Sequence, residues 1–433
     1  MQLEKYSIGV GDRFGHQGAA QLLALLSAQE QGVQIVPIWN KSNREHSLIG
    51  TQPADVHRNV EEAVKATGWK KAYHIDADHI GLKTVDKFLP YSDFYTIDVA
   101  DFIGRPASDA DLTAFANSLS QFKGTYAIPG IALSFAVTHE LLQTIGKKYL
   151  SAVKEAAKIY RHIRMSKGND DFIVEVSMDE TDKPQTPIEL FFILAAIAQE
   201  KIPIQTIAPK FSGEFLKGID YVGNVKDFAV EFENDLLVIA HAVALFGLPK
   251  NLKLSVHSGS DKFSLYPVMY KAMKKHNAGL HLKTAGTTWL EELIGLAEAG
   301  GDGLMLAKNI YFHAHARIDE LSAPYATVIK IDRSKLPLPQ VVSRWTSEQF
   351  TSALRHDQSS KSYNLHLRQL LHIAFKIAAE MGDRYLSALE KNEKIIGLNV
   401  TANILNRHID PLFLGKFNQP NAKSAEEALS TVA

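Results

Sequence analysis

The stretch AYHIDADHIG, Ala72–Gly81, places two aspartates and two histidines within six residues at the end of an alternating run. Alternation with period two marks a strand whose faces meet different surroundings. Tyr73 and Ile75 fall on one face, and His74, Asp76 and Asp78 on the other. Ionisable groups crowded at a strand end are costly to bury unless they are paired or hold a metal. Comparable runs are YSIGV (6–10), VQIVPIW (33–39), FYTIDVA (94–100), FIVEVS (172–177), IPIQTIA (202–208), LKLSVH (252–257) and GLHLK (279–283). Helical stretches such as GAAQLLALLSAQEQ, ADVHRNVEEAVKAT, TPIELFFILAAIAQE and TTWLEELIGLAEAG separate most of them. Thr186 followed by Pro187 reads as a helix N-cap and first helical residue. Strands alternating with helices predict a parallel sheet covered by helices, and eight of them predict a closed (β/α)8 TIM-like barrel. An open doubly wound sheet is the alternative.

The catalytic barrel is expected over residues 1–320. The long gap between the fourth and fifth strands, at about 105–168, reads as a helical insertion or lid, with DADLTAFANSLSQF and AVTHELLQTIGKKYLSAVKEAAKIYRHI as its helices. Residues 321–433 read as a C-terminal helical extension packed on the barrel, with a polar, frayed tail, AKSAEEALSTVA.

Composition narrows the function. With 45% hydrophobic and 22% charged residues, the chain can bury a large core. Its 47 basic and 48 acidic residues nearly cancel, which argues against nucleic acid or an anionic membrane as the main partner. Cysteine is absent, so disulfides, thiol chemistry and thiolate ligands are excluded, and any metal falls to His, Asp and Glu. The N-terminus lacks the regions of a signal peptide, and the apolar run LLVIAHAVALFGL (236–248) is too short to span a bilayer. A cytoplasmic protein is expected.

The same face-by-face reading leaves Thr96 and Asp98, Glu175 and Ser177, Ser255 and His257, and His281 and Lys283 on the non-helical side of their strands. Ionisable groups gathered at strand C-termini are where barrel active sites are built. His79, Glu214 and His257 offer two imidazoles and a carboxylate from three strand ends. Such a set suits Zn, Mn, Co, Ni or Fe and leaves coordination positions open for a chelating substrate. His313 and His315, at i and i+2, share one face if YFHAHAR is a strand, and either would replace a ligand. Arg13, Lys41, Arg44 and Lys283 all follow strands and are candidates for holding an anionic substrate, with Asp78 and His313 as further substrate contacts. GVGDRFG breaks the spacing of a dinucleotide fingerprint, and HSGSDK is a weak phosphate cradle.

KYSIGVGDRFGHQG, VPIWNKSNREHSLIGTQP, HIDADHIGLKTVDKFL, DFYTIDVADFIG, APKFSGEFLKGIDYVG, LSVHSGSDKFSLYP and LHLKTAGTTWLEE together resemble the tagaturonate epimerase family. The resemblance extends into RQLLHIAFKIAAEMG and LNRHIDPLF, nearly the whole chain. It implies metal-dependent interconversion of D-tagaturonate and D-fructuronate in hexuronate catabolism, with a divalent cation as cofactor and a small sugar acid as partner. Relatives acting on free ketohexoses are also known. The inverted carbon lies one bond beyond the carbon next to the ketone, so the carbonyl does not acidify its C–H. Retro-aldol cleavage avoids that difficulty, and a divalent Lewis acid stabilises the enolate. Asp76 and Glu175 are the expected general base and acid, with Lys210 polarising an oxygen. Two other classes stay open: a metal-dependent sugar-phosphate aldolase or isomerase, and a sugar-acid-binding protein without turnover.

Overall fold

The computed structural model describes residues 1–179, 181–283 and 287–417. The strands are β1 (Tyr6–Gly9), β2 (Val36–Ser42), β3 (His74–Ile80), β4 (Phe94–Asp98), β5 (Gly124–Ala127), β6 (Ser134–Val137), β7 (Ile173–Met178), β8 (Thr206–Pro209), β9 (Lys253–Val256) and β10 (Leu280–Lys283). All but β5 and β6 pair in parallel and close into a barrel in the order β1-β2-β3-β4-β7-β8-β9-β10. The fold is a (β/α)8 TIM-like barrel, and each run of alternating sequence supplies one strand.

The two strand faces explain how the barrel is packed. Ile8, Trp39, Ile75, Tyr95, Ile97, Val174, Val176, Ile207, Leu254, Val256, Leu280 and Leu282 point outward into one continuous apolar core shared with the helices. The inward face holds a small separate apolar cluster of Leu3, Ile38, Phe94 and Ile173. One pleat further along, the inward positions turn polar: Asn40 pairs in register with Asp76, Thr96 with Glu175, and Ser7 with His281. The interior therefore has an apolar floor and an ionisable upper layer.

The helix Pro187–Gln199 opens as the sequence implies, with the Thr186 hydroxyl accepting from the Glu189 N–H in a capping box. It is apolar on nearly every side, which a surface helix would not tolerate. The segment between β4 and β7 supplies the cover. It contains the helices Asp109–Ser118 and His139–Lys167 with the antiparallel hairpin β5–β6 between them. Phe122 meets Phe191 edge-on at 5.5 Å and Tyr126 lies tilted against it at 5.4 Å, and Tyr126 Oη lies 2.6 Å from His241 Nε2 on the helix Val225–Phe246. The helices expected at about 105–168 are present, with the hairpin between them as an addition. Within the segment, His139–Lys167 packs on β4 and beside Pro187–Gln199 as the barrel helix leading to β7, while the hairpin lies against the outer side of Pro187–Gln199. The hairpin's strands are half exposed and lack the apolar alternation that reveals a strand.

Helices additional to the barrel begin at Gly301, ahead of the boundary expected at 320. Gly301–Ala316, Ser347–Leu354 and Glu393–Ala402 pack against the last barrel helix, Thr287–Glu298. A π-helical segment containing Pro411, Asn403–Leu414, rests on Gly18–Glu30 and Tyr266–His276. The tail read as frayed lies outside the described residues. No described helix is long and apolar enough to cross a membrane.

The extension grips the loop after β9. Arg368 Nη2 donates to Asp261 Oδ1 at 2.9 Å, and His356 Nδ1 lies 3.3 Å from the same oxygen. His408 Nδ1 is 3.0 Å from the Asn403 carbonyl, while its Nε2 accepts from the Asp261 N–H at 3.4 Å. Only a neutral ring satisfies both contacts, and burial pushes His408 down to about 4. Between that value and about 6.5 the unfolded chain binds the extra proton, so stability present above 6.5 is lost as pH falls toward 4. The melting temperature is expected to fall over that window, with His408 contributing on the order of 3 kcal/mol at most. In His408→Gln the decline should be shallower; an unchanged slope would remove His408 as its source.

Candidate active site

Lys283 ends β10 on the inward face, and its ammonium reaches across the barrel. Nζ donates to Asp76 Oδ2 at 2.9 Å, Asp78 Oδ1 at 2.7 Å and Thr96 Oγ1 at 2.5 Å, and lies 3.2 Å from Glu175 Oε1. Thr96 also donates from its backbone N–H to Asp76 Oδ1 at 3.1 Å. Burial lowers the Lys283 pKa, but the three carboxylates outweigh it and hold the pKa well above the usual value. One ammonium cannot neutralise three carboxylates. Asp76, the most enclosed of those on β3, is pushed up by burial to about 7, despite Lys283. Burial would also raise Glu175 and Asp78, yet Lys283 with His257 holds Glu175 well below the carboxylate range, and His79 with Lys283 does the same for Asp78.

His79 reaches this cluster by breaking the rule that places its neighbours. Strict alternation from Asp76 and Asp78 would turn residue 79 outward. Its backbone instead adopts φ +52°, and the pairing of β3 with β4 shifts register between Ala77 and Ile80. The irregularity re-aims the imidazole inward, as a bulge does beside a functional site. His79 Nδ1 bonds Asp78 Oδ1 at 2.9 Å, and the ring centroid lies 5.2 Å from that of His257.

His257 continues the inward face beyond β9. Its Nε2 bonds Glu175 Oε1 at 2.7 Å. Its Nδ1 lies 3.3 Å from Asp179 Oδ1, an ion-pair distance, but makes no well-aligned hydrogen bond. Burial would lower its pKa, yet Asp179 and Glu175 raise it to about 10. Asp179 in turn accepts from Ser177 Oγ at 2.5 Å. His79, Asp179 and His257 present donor atoms all within 4.8 Å of one another, the only such group of three among the described residues.

Asp76, Asp78, Glu175, Lys283 and His257 therefore converge as the strand pattern implies, and His79 joins them through its backbone irregularity. Glu214 does not join the two histidines: it pairs with Lys330, and its backbone bridges to Val222 in the loop after β8. The carboxylate that stands beside the two histidines is Asp179, two residues beyond Ser177 on the same face; continuing the alternation of FIVEVS would have found it. His313 is exposed on the helix Gly301–Ala316, where i and i+2 point apart, so the shared strand face with His315 does not exist. Lys210 enters the described contacts through its backbone N–H, which donates to Gln185 Oε1 at 2.7 Å. Lys41 Nζ donates to the Arg13 carbonyl at 2.7 Å, and Arg13 pairs with Glu45 while its guanidinium lies 3.9 Å from the Phe375 ring centroid.

A parallel barrel whose strand ends deliver imidazoles, carboxylates and a buried ammonium to one mouth defines a (β/α)8-barrel enzyme. Residues 1–412 match the sequence model of the tagaturonate epimerases, and the chain belongs to that family. It is accordingly a carbohydrate epimerase of the isomerase class. The tagaturonate/fructuronate epimerase of Thermotoga maritima is 27% identical over 425 residues, spanning 94% of this chain and 80% of the relative. The native crystal structure of fructuronate-tagaturonate epimerase from Cohnella laeviribosi is similar with a TM-score of 0.77 and 24% identity, covering 95% of this chain and 82% of that one. A glycerol complex of the same enzyme gives 0.78 and 23% over the same shares of each chain. The fold is thus shared along nearly the whole chain.

Removing Lys283 tests the electrostatic frame. Lys283→Met leaves three buried carboxylates without their cation and is expected to cost about 3–5 kcal/mol in urea unfolding, together with turnover. A loss below about 1 kcal/mol would show that the carboxylates do not depend on it.

Proposed function

We propose that this protein interconverts D-tagaturonate and D-fructuronate by retro-aldol cleavage and re-addition, with a divalent cation held by His79, Asp179 and His257. The observation that carries the reading is the pair of imidazoles and the carboxylate standing beside the Lys283 cluster at the barrel mouth. The donor set fits such an ion. Each imidazole commits one nitrogen to a carboxylate, His79 to Asp78 and His257 to Glu175, which orients the ring and frees the other nitrogen. His257 Nδ1 is buried and faces Asp179 Oδ1 at 3.3 Å without an aligned hydrogen bond, so both atoms could serve one ion. When bound, the cation would supply Lewis-acid stabilisation of the negative charge that develops on the ketose oxygens.

The chain's own groups handle the proton. The hydroxyl on the inverting carbon loses its proton, and the bond between that carbon and the neighbour nearer the ketone breaks. Its electron pair forms the double bond of an enediolate, and the inverting carbon becomes an aldehyde. Rotation of the aldehyde and re-addition on the other face return the proton and invert the centre. In one concerted relay Lys283 hands a proton of its own to Asp76, 2.9 Å away, as it takes the hydroxyl's. Asp76, titrating at about 7, ends protonated and Lys283 unchanged, and the reverse relay returns the proton. Glu175 holds the His257 ring in place and balances Lys283 from below.

The deciding experiment strips the protein with chelator, restores divalent metals singly and follows D-tagaturonate by NMR, with D-tagatose and D-fructose in parallel. Conversion to D-fructuronate without net fragments is expected. Accumulating fragments would make the protein an aldolase, and no conversion with any metal would end the reading. Asp76→Asn should lower kcat at least 100-fold with metal content unchanged. Asp179→Ala should weaken metal binding at least tenfold, whereas Glu214→Ala should not; the reverse order would restore Glu214 as the ligand.

A further inference from the structure

The loop between β8 and the helix Val225–Phe246 carries a cation that strand alternation does not reach. Lys217 sits one residue before Gly218, which holds φ +73°. A Cβ at Gly218 would come within 3.2 Å of the His372 ring, so the loop is seated directly on the C-terminal helix Leu365–Ile373. The Lys217 N–H donates to the Val328 carbonyl at 2.8 Å, a second tie to the extension. These contacts deliver Nζ to Ser258 Oγ at 3.3 Å, and Ser258 directly follows His257. Lys217 is thereby fixed beside the mouth of the site.

Its surroundings lack a counter-ion. Ser258 is its side-chain hydrogen-bond partner, and no described carboxylate forms an ion pair with it. Burial lowers the Lys217 pKa, and Arg13 and Arg44 lower it further, against Glu45 and Asp78. Both of those acids are already engaged, Glu45 by Arg13 and Asp78 by Lys283 and His79. Arg13 is buried, with its Nε unpartnered, and its guanidinium rests on Phe375. Arg44 lies 5.0 Å from the Tyr325 ring centroid. Glu45 is thus taken up by Arg13 and Asp78 by Lys283 and His79, which leaves Lys217 without an ion-pair partner among the described residues, and aromatic rings from the C-terminal extension back both arginines. The Lys283 cluster, by contrast, carries its own carboxylates.

A partly buried ammonium without a carboxylate partner is costly to hold charged, and an anion entering the site would complete it. We propose that Lys217, with Arg13 beside it, binds the carboxylate of the sugar acid and determines the preference for uronates over neutral ketohexoses. The assignment rests on the epimerase reading above for the identity of the substrate. With the ketone and its neighbouring hydroxyl directed to the metal group, the carboxylate lies at the far end of a six-carbon chain. It requires a cation beside the reacting groups that is not already neutralised, and Lys217 meets both conditions. A neutral ketose would leave that cation uncompensated and would be discriminated against accordingly.

The test compares metal-loaded wild type, Lys217→Met and Lys217→Arg on D-tagaturonate and D-tagatose. In Lys217→Met the ratio of kcat/KM for the uronate to that for the ketose is expected to fall at least tenfold, chiefly through a raised KM for the uronate. Lys217→Arg should recover most of it. Metal content is measured alongside, and Lys217→Gln carries the same comparison if the methionine variant does not fold. An unchanged ratio, including equal losses on both sugars, overturns the assignment. Calorimetric binding of the two sugars to the same proteins decides Lys217 independently of turnover. If the wild type converts neither sugar, the epimerase reading fails, while a tenfold loss of D-tagaturonate affinity in Lys217→Met still supports the carboxylate site and an unchanged affinity still overturns it.

Discussion

The ammonium of Lys283 is the constraint on which the rest of the barrel interior depends. It ties β10 to Asp76 and Asp78 on β3, Thr96 on β4 and Glu175 on β7, so four of the eight barrel strands meet at one nitrogen. Those inward positions cannot then be filled by apolar side chains, and the dry packing retreats to the floor formed by Leu3, Ile38, Phe94 and Ile173. A buried cluster of this kind contributes little net stability over an apolar core. What it provides is fixed charge: a carboxylate poised near neutrality and two others that anchor imidazoles.

Strain is concentrated where the imidazoles are presented. His79 holds φ +52°, and Ser258 and Asp261, flanking the turn after His257, hold +50° and +63°. Non-glycine residues persist in such conformations only when their surroundings over-determine them. On β3 the surroundings are Asp78 and the register shift. On β9 they come from the C-terminal extension, through Arg368, His356 and His408 on Asp261. The extension is therefore part of how the site is built. It also seats the Lys217 loop and backs Arg13 and Arg44 with aromatic rings.

Regular strands made most of this legible in advance. Asp76, Asp78, Glu175 and Lys283 follow a period of two without interruption, and the outward apolar positions confirm their direction. Legibility ended where the backbone departs from that period. His79 turns inward only through its left-handed conformation, which residue types alone do not announce. Asp179 keeps the period of β7 but lies one residue past its end, Met178, beyond the run read as a strand, and Glu214 is directed to Lys330 by a turn through Gly213. His313 was misplaced because a short histidine pair fits a strand or a helix equally well, and the flanking residues formed a helix. The β5–β6 hairpin is half exposed and carries no alternation; its presence is recorded instead in the all-apolar helix Pro187–Gln199 that it lies against.

The arrangement of His79, Asp179 and His257 as one ligand set is the account's central claim, and anomalous diffraction from a manganese- or cobalt-loaded crystal tests it most directly. A peak within about 2.0–2.3 Å of one donor atom from each of the three residues is the expected result. A peak elsewhere in a protein that epimerises with the same metal, or none at all, would contradict it.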